Sequence, residues 1–174
     1  MIQLNFNWGL KRLQTEDEHP NRTRYSHPQG DVMIAQYVLS TGEPLDYVHL
    51  ELNKPNGHTE TTRAIKPQAA VEFGRTLIRH ARPTKNQTRR QNKHYTLSCL
   101  GGPVTITQHA WFFGEFQCFI HVALYRPDGP FETGRLITTQ DAIELGRELI
   151  RHATLKKKLV CRWKKNRTPA YFPI

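Results

Sequence analysis

Apolar and small residues in two stretches of the chain recur with the spacing of an amphipathic helix. They lie at i, i+1, i+4, i+7, i+8 and i+11 of residues 70–81, and the same spacing returns in residues 142–153. This spacing places them along one side of a helix. Each stripe contains a glycine, Gly74 or Gly146, although glycine costs about 1 kcal/mol relative to alanine inside a helix. We expect these glycines to allow close approach of each helix to a sheet.

The two helical stretches are copies of one another. Residues 30–81 align without a gap with residues 102–153, at an offset of 72, and 24 of the 52 aligned positions are identical. Chance does not produce this identity over such a length. The chain therefore contains an internal duplication.

Alternation of apolar and polar residues ahead of each helix predicts four strands in each copy. In the first copy we expect strands at Ile2–Trp8, Asp31–Leu39, Leu45–Asn53 and Glu60–Ala64. In the second we expect them at Tyr95–Leu100, Pro103–Trp111, Gln117–Tyr125 and Glu132–Leu136. The helices are expected to begin at Pro67 and at a Thr138 or Thr139 cap. The predicted fold class is α+β: a duplicated ββββα unit with two antiparallel sheets, each covered by one helix, related by a pseudo-two-fold axis.

The repeats divide the chain into four parts. Residues 1–81 form repeat one and residues 94–153 form repeat two, with a basic linker at 82–93 and a basic C-terminal tail at 154–174. The polar stretch at 10–29 is broken by two prolines and has no counterpart in the alignment. It predicts an inserted loop.

The central strands carry different residues on their two sides. One side is aliphatic, as in Val48, Leu50 and Leu52, and must lie under a helix. The other side carries rings: Tyr37, Tyr47 and His49 in repeat one, and His109, Trp111, Phe119, His121 and Tyr125 in repeat two. Such rings either stack on nucleic-acid bases or pack together as a second core between the repeats.

The formal net charge of +10 favours an anionic partner such as nucleic acid or an acidic membrane surface. Twelve of the 25 lysines and arginines lie in the linker and tail, which contain no acidic residue. Basic side chains at these places are candidates to contact phosphates. They are Lys54, Arg63, Arg126 and Arg135 near the rings, Arg89 and Arg90 in the linker, and Lys156, Lys157, Lys158, Lys164 and Lys165 in the tail.

Other features of the sequence argue against several functional classes. There is no run of 18 apolar residues and no apolar N-terminal core of a signal peptide, so we expect an intracellular protein that does not enter a membrane. Three cysteines without a CxxC spacing indicate neither a disulfide framework nor a metal site. No cofactor motif is present, and we expect no cofactor.

The duplicated histidines are the candidates for a catalytic role. His49 matches His121, which is typical of phosphoesterases with one catalytic histidine in each of two repeats. In that class a hydroxyl residue stands two positions after the histidine, but here the residues are Glu51 and Ala123. His80 and His152 are expected in the last helical turn, where a cation is favourable. We therefore expect no catalytic site.

The duplicated ββββα unit with its basic character resembles the Whirly and purine-rich-element-binding (PUR) families. The resemblance rests on the architecture of residues 30–153 and implies binding of single-stranded nucleic acid. The sequence therefore favours a sequence-tolerant binder of single-stranded DNA or RNA. The alternative is a protein-interaction or inhibitory module of a virus or mobile element, and a homo-oligomer or protein partner remains open.

Overall fold

The structure, a computed structural model, describes residues 11–12, 22–37, 46–82, 94–112 and 116–166. Repeat one contains β1 (Lys11–Arg12), β2 (Arg22–Ser26), β3 (Val32–Ala35), β4 (Val48–Asn53), β5 (Thr59–Ile65) and α1 (Pro67–Ala81). Repeat two contains β6 (His94–Leu97), β7 (Val104–Phe112), β8 (Phe116–Tyr125), β9 (Phe131–Thr138) and α2 (Thr139–Asn166).

Each repeat forms an antiparallel sheet whose strands follow one another in chain order, from β1 to β5 and from β6 to β9. The pairing repeats at the offset of 72. Val32 lies opposite Leu52 in the first sheet, and Val104 lies opposite Leu124 in the second. The predicted α+β fold with a duplicated ββββα unit is confirmed.

The prediction of an inserted loop at residues 10–29 is wrong, because β1 and β2 lie within it. Tyr25 of β2 pairs with β3 in the same register as Leu97 of β6 pairs with β7, so β2 is the first strand of the repeat. Tyr25 is the one large apolar residue of β2, so its alternation is weak. The segment Ile2–Trp8, which we expected in this role, lies outside the described residues.

Helix α2 is longer than the duplication predicts. It begins after a capping box, in which Asp141 N donates to Thr138 Oγ1 over 3.1 Å and Thr138 N donates to the Asp141 carboxylate over 3.3 Å. The predicted cap at Thr138 is confirmed. The expected end of the helix at Ala153 is wrong, since α2 continues to Asn166 into the predicted tail. No glycine or proline interrupts this extension, and its lysines and leucines favour a helix.

The two helices cross at their glycines. A Cβ atom built on Gly74 would lie 2.5 Å from the Gly146 carbonyl oxygen, and one built on Gly146 would lie 2.6 Å from the Gly74 carbonyl oxygen. The close similarity of these distances reflects the pseudo-two-fold relation of the helices. The glycines thus allow the two helices to contact each other. The prediction that they allow each helix to approach a sheet is wrong.

The helices also connect the repeats through the core. Helix α1 packs against β6, β7 and β8 of the second sheet, whereas α2 packs against β3 and β4 of the first sheet and against β8 and β9. Leu50 and Leu52 share one buried cluster with Ile120, Leu124 and Phe73. Each sheet is therefore partly covered by the helix of the other repeat.

Two equivalent arginines reach from one repeat into the other. Arg63 Nη2 donates to Tyr125 O over 2.6 Å and pairs with the Glu132 carboxylate. Arg135 Nη2 donates to the equivalent carbonyl, Asn53 O, over 2.8 Å. It also pairs with the equivalent carboxylate, that of Glu60, over 3.0 Å.

Both arginines are taken up by the protein itself. Their side chains are 3% and 4% exposed, because the strand register places Arg63 opposite Leu50 and Arg135 opposite Val122 on the helix side of each sheet. The sequence pattern predicts both arginines beside the rings as phosphate contacts. In the structure they connect the repeats instead.

The sheets also meet edge to edge at two equivalent seams. At the first, Ala64 and Leu100 exchange two backbone hydrogen bonds of 3.2 Å. At the second, Pro28 stands in place of Leu100 and has no N–H to donate. There His27 Nε2 donates to the carbonyl oxygen of Leu136 over 3.0 Å. The imidazole replaces the missing backbone donor.

We expect Gly146→Ala to destabilise the protein by about 1 to 3 kcal/mol, the range typical of overpacking. An alanine would improve helix propensity by about 1 kcal/mol, but its Cβ meets a backbone carbonyl that no rotamer change can move. Urea denaturation checks this, with Gln140→Ala on the exposed side of α2 as the control. An equal or higher midpoint for Gly146→Ala would show that the helices do not approach so closely.

We expect Arg135→Met to destabilise the protein by about 3 kcal/mol, the lower end of the range for breaking a buried ion pair. The lower end applies because its partner Glu60 is 27% exposed and can be rehydrated. The matched control is Arg126→Met at an exposed turn, which should change stability by less than about 0.5 kcal/mol. Equal thermal melting of the two variants would contradict the structural role of Arg135.

Candidate nucleic-acid interface

Four of the predicted ring residues of repeat two, His109, Phe119, His121 and Tyr125, lie on the side of the second sheet that faces away from the helices, which we call its outer face. The register places His109 opposite Phe119 and Thr107 opposite His121. The centroids of the His109 and His121 rings are 6.0 Å apart. Trp111 lies on the same strand, β7, but its side chain is outside the described part of the structure.

The rings continue onto β9 through a residue that the sequence analysis missed. The Phe131 ring centroid lies 6.2 Å from that of His121 and 5.8 Å from that of Tyr125, edge to face with the tyrosine. Phe131 is 56% exposed. We call His109, His121, Tyr125 and Phe131 the ring cluster. The alternation predicts that the strand starts at Glu132, which leaves Phe131 outside it.

A glycine sets the position of one ring in this cluster. A Cβ atom on Gly134 would lie 2.6 Å from His121 Nε2, so the imidazole lies directly over the backbone of β9. Thr62 occupies the equivalent position in repeat one. Gly134 interrupts the alternation of β9. A glycine within a strand often marks a close approach to the backbone, and it is the only signal in the sequence for this ring position.

Burial lowers the pKa of His109 and of His121, and the proximity of His109 lowers that of His121 further. Both imidazoles are therefore mostly uncharged at neutral pH. His94, also on the outer face, lies 3.0 Å from Thr107 through its Nδ1 and the threonine Oγ1. Rings of this kind present flat, neutral surfaces on which bases can stack.

The outer face of the first sheet is different because it contains a carboxylate. The Tyr37 hydroxyl donates to Glu51, and Arg22 lies 5.3 Å above the Tyr37 ring. The Tyr37 and His49 rings meet edge to face at 4.8 Å. Burial and the bond to Glu51 raise the pKa of Tyr37 to about 12. Tyr37 thus has partners in Glu51 and Arg22, whereas Ala123 stands in place of Glu51 in the second sheet.

A second core between the two ring-bearing faces, the alternative to base stacking, does not hold the described repeats together. The common buried cluster draws on the inner faces of both sheets and on both helices. Within the described part of the chain, none of the ring cluster belongs to it. The described rings on the outer face of the second sheet are half-buried or, for His94 and Phe131, exposed.

The remaining basic candidates occupy three places. Lys54 and Arg126 are exposed at equivalent turns after β4 and β8. Lys156, Lys157, Lys158, Lys164 and Lys165 lie in the extension of α2, although their side chains are outside the described part. Arg89 and Arg90 lie outside the described residues. Tyr47 is half-buried and directly precedes β4.

No protein-family model matches the chain, and no match was found among curated proteins. Within the described residues, neither helix combines the length and the apolar character that crossing a membrane requires.

We expect the protein to lose stability as the pH falls below about 6.5, the ordinary pKa of histidine. The folded-state pKa values of His109 and His121 are lowered, so the unfolded chain binds more protons, and stability is lost as the pH falls through those lowered values. His121→Phe keeps a ring and should reduce this loss. Urea midpoints at pH 7.5 and 5.0 measure it, with His58→Asn at an exposed turn as the control. An unchanged difference between the two pH values in His121→Phe would contradict the assignment.

Proposed function

We propose that this protein binds single-stranded DNA or RNA on the outer face of its second sheet. The ring cluster carries this proposal, because it offers several aromatic surfaces, one of them 56% exposed, at stacking distances from one another. Stacking on aromatic side chains requires bases that are not already paired and stacked in a duplex. The proposal is therefore for single strands.

Charge supports the same surface. The described outer-face positions of β6 to β9 that pair around His121 are threonine, histidine, phenylalanine, alanine, glycine and leucine, without a carboxylate. On the first sheet, Glu51 would oppose a phosphate. The net charge of +10 favours a polyanion in general. The second sheet is the face on which that attraction is not opposed locally.

Two exposed cations, Lys54 and Arg126, support this proposal as candidates to contact the backbone of a bound strand. Arg126 directly follows Tyr125 of the ring cluster. The bond from Arg135 to Asn53 O brings the turn that begins at Lys54 to the edge of β9. The lysines of the α2 extension remain further candidates. The architectural resemblance to Whirly and PUR proteins points in the same direction.

Phe131→Ala should weaken binding to a single-stranded oligonucleotide by about 1 to 3 kcal/mol, the value of one stacked base. Its exposure means that the fold should be little affected. The matched control is Thr59→Ala, which changes the equivalent exposed position of repeat one. Fluorescence anisotropy with single-stranded and duplex DNA and RNA over a range of salt concentrations measures both variants.

Wild-type affinity should fall with salt by a slope of about 0.7 per phosphate contact on single strands. A preference for duplex, or equal binding by Phe131→Ala and the wild type, would contradict the proposal. If no nucleic acid binds, the exposed Phe131 is better explained as a contact for a protein partner.

A further inference from the structure

A pocket lies at the first seam between the two sheets. It is lined by Tyr47 and Ala64 of repeat one, by Lys66 and Ala69 at the start of α1, and by Cys99 and Leu100 of repeat two. Its volume is about 380 Å³, within the range of roughly 300 to 1,000 Å³ typical of small-molecule sites. Leu100 is 66% exposed at its rim. Thus the repeats together form a cavity that neither forms alone.

The second seam shows what fills the equivalent space. His27 occupies the position of Cys99, and its buried imidazole donates to Leu136 O and accepts from Gln29 N over 3.1 Å. At the first seam three of the equivalent side chains are smaller. Cys99 replaces His27, Ala64 replaces Leu136, and Ala69 replaces Asp141. The second seam therefore contains a flat heteroaromatic ring of the chain itself, and the first seam has no equivalent ring.

The charge of the pocket also differs from that of the second seam. Ala69 stands where the other half has the Asp141 carboxylate, and the exposed Lys66 stands where it has the Thr138 hydroxyl. Burial raises the pKa of Cys99 to about 11, so its thiol carries no charge at neutral pH. The pocket has gained a cation and lost an anion. A ligand with a negative charge suits it.

The pocket opens on the same surface as the ring cluster. Ala64 lies opposite His49 on the outer side of β4 and bridges to Leu100. Leu100 continues the outward alternation of His94 and Thr96 on β6. From β6 the outer face leads across β7 to the ring cluster.

We propose that this pocket binds one nucleotide of the bound single strand, with the base in the space that His27 fills at the other seam and the phosphate at Lys66. The proposal rests on the proposed function for the source of the nucleotide. The chemistry it requires is a planar heterocycle that carries a phosphate. The pocket thus adds a second contact, away from the ring cluster, to the path of the strand.

The test introduces residues of the second seam at the equivalent positions of the first seam. Cys99→His and Ala69→Asp should each weaken binding of a single-stranded oligonucleotide by roughly 5- to 150-fold, the effect of one lost base contact. Both variants should remain folded. The pocket has room for the imidazole, and an aspartate at the third position of a helix is favourable towards the helix dipole. Thermal melting verifies this for each variant.

Gln68→Asp is the matched control, because it adds the same charge to the same helical turn outside the pocket lining. It should weaken binding less than Ala69→Asp does. Oligonucleotide affinities that are unchanged in Ala69→Asp and Cys99→His, but reduced in Phe131→Ala, would overturn the pocket and leave the proposed function standing.

Titration with uridine and adenosine 5′-monophosphates separates the two proposals further. If the wild type binds no oligonucleotide, the proposed function fails. Saturable mononucleotide binding that Cys99→His abolishes would then support the chemistry of the pocket, but with a free nucleotide as its source. Binding of neither oligonucleotide nor mononucleotide would overturn both proposals.

Discussion

The approach of Gly74 to Gly146 is the contact on which the rest of the fold depends. A single small sheet with one helix has too little apolar surface to form a substantial core. With only hydrogen on the two Cα atoms, the helix backbones come close enough for each helix to reach the sheet of the other repeat. The two copies therefore fold around one core. The cost of a glycine in each helix is offset by this shared burial.

Arg63 and Arg135 add a second constraint to the same arrangement. Each arginine donates to a backbone carbonyl and to a carboxylate of the other repeat. These bonds connect the two repeats. A buried ion pair adds little net stability, but losing one member is costly. These arginines favour one packing of the repeats over others. Because these two arginines are already paired and buried, an anion can be bound only by other cations, which remain at the surface.

The duplication kept the interior and changed the surface. Inner-face residues pair in the same register in both sheets. On the outer side, Glu51 corresponds to Ala123 and Thr59 to Phe131, and at the seams His27 corresponds to Cys99. Packing constrains the inner residues of both copies equally, whereas exposed positions such as Thr59 and Phe131 are free of that constraint. The two copies can therefore have different roles within one symmetric scaffold.

The sequence by itself determined the duplication, the order of strands and helix, and the side of each central strand that carries rings. These follow from periodicity, which depends on neighbours along the chain. The sequence did not predict β2, because its arginines mask the alternation of apolar and polar residues. It also did not predict the end of α2, because the helix continues past the boundary of the repeat.

Only the tertiary structure decided which groups meet. Arg63 and Arg135 are charged, yet the strand register turns them inward, where each meets a backbone carbonyl and a partly exposed carboxylate of the other repeat. Phe131 joins the ring cluster through a strand pairing, and the seam pocket exists because two distant segments leave space between them. Contacts between segments far apart in the chain depend on the relative placement of the sheets, which local patterns do not encode.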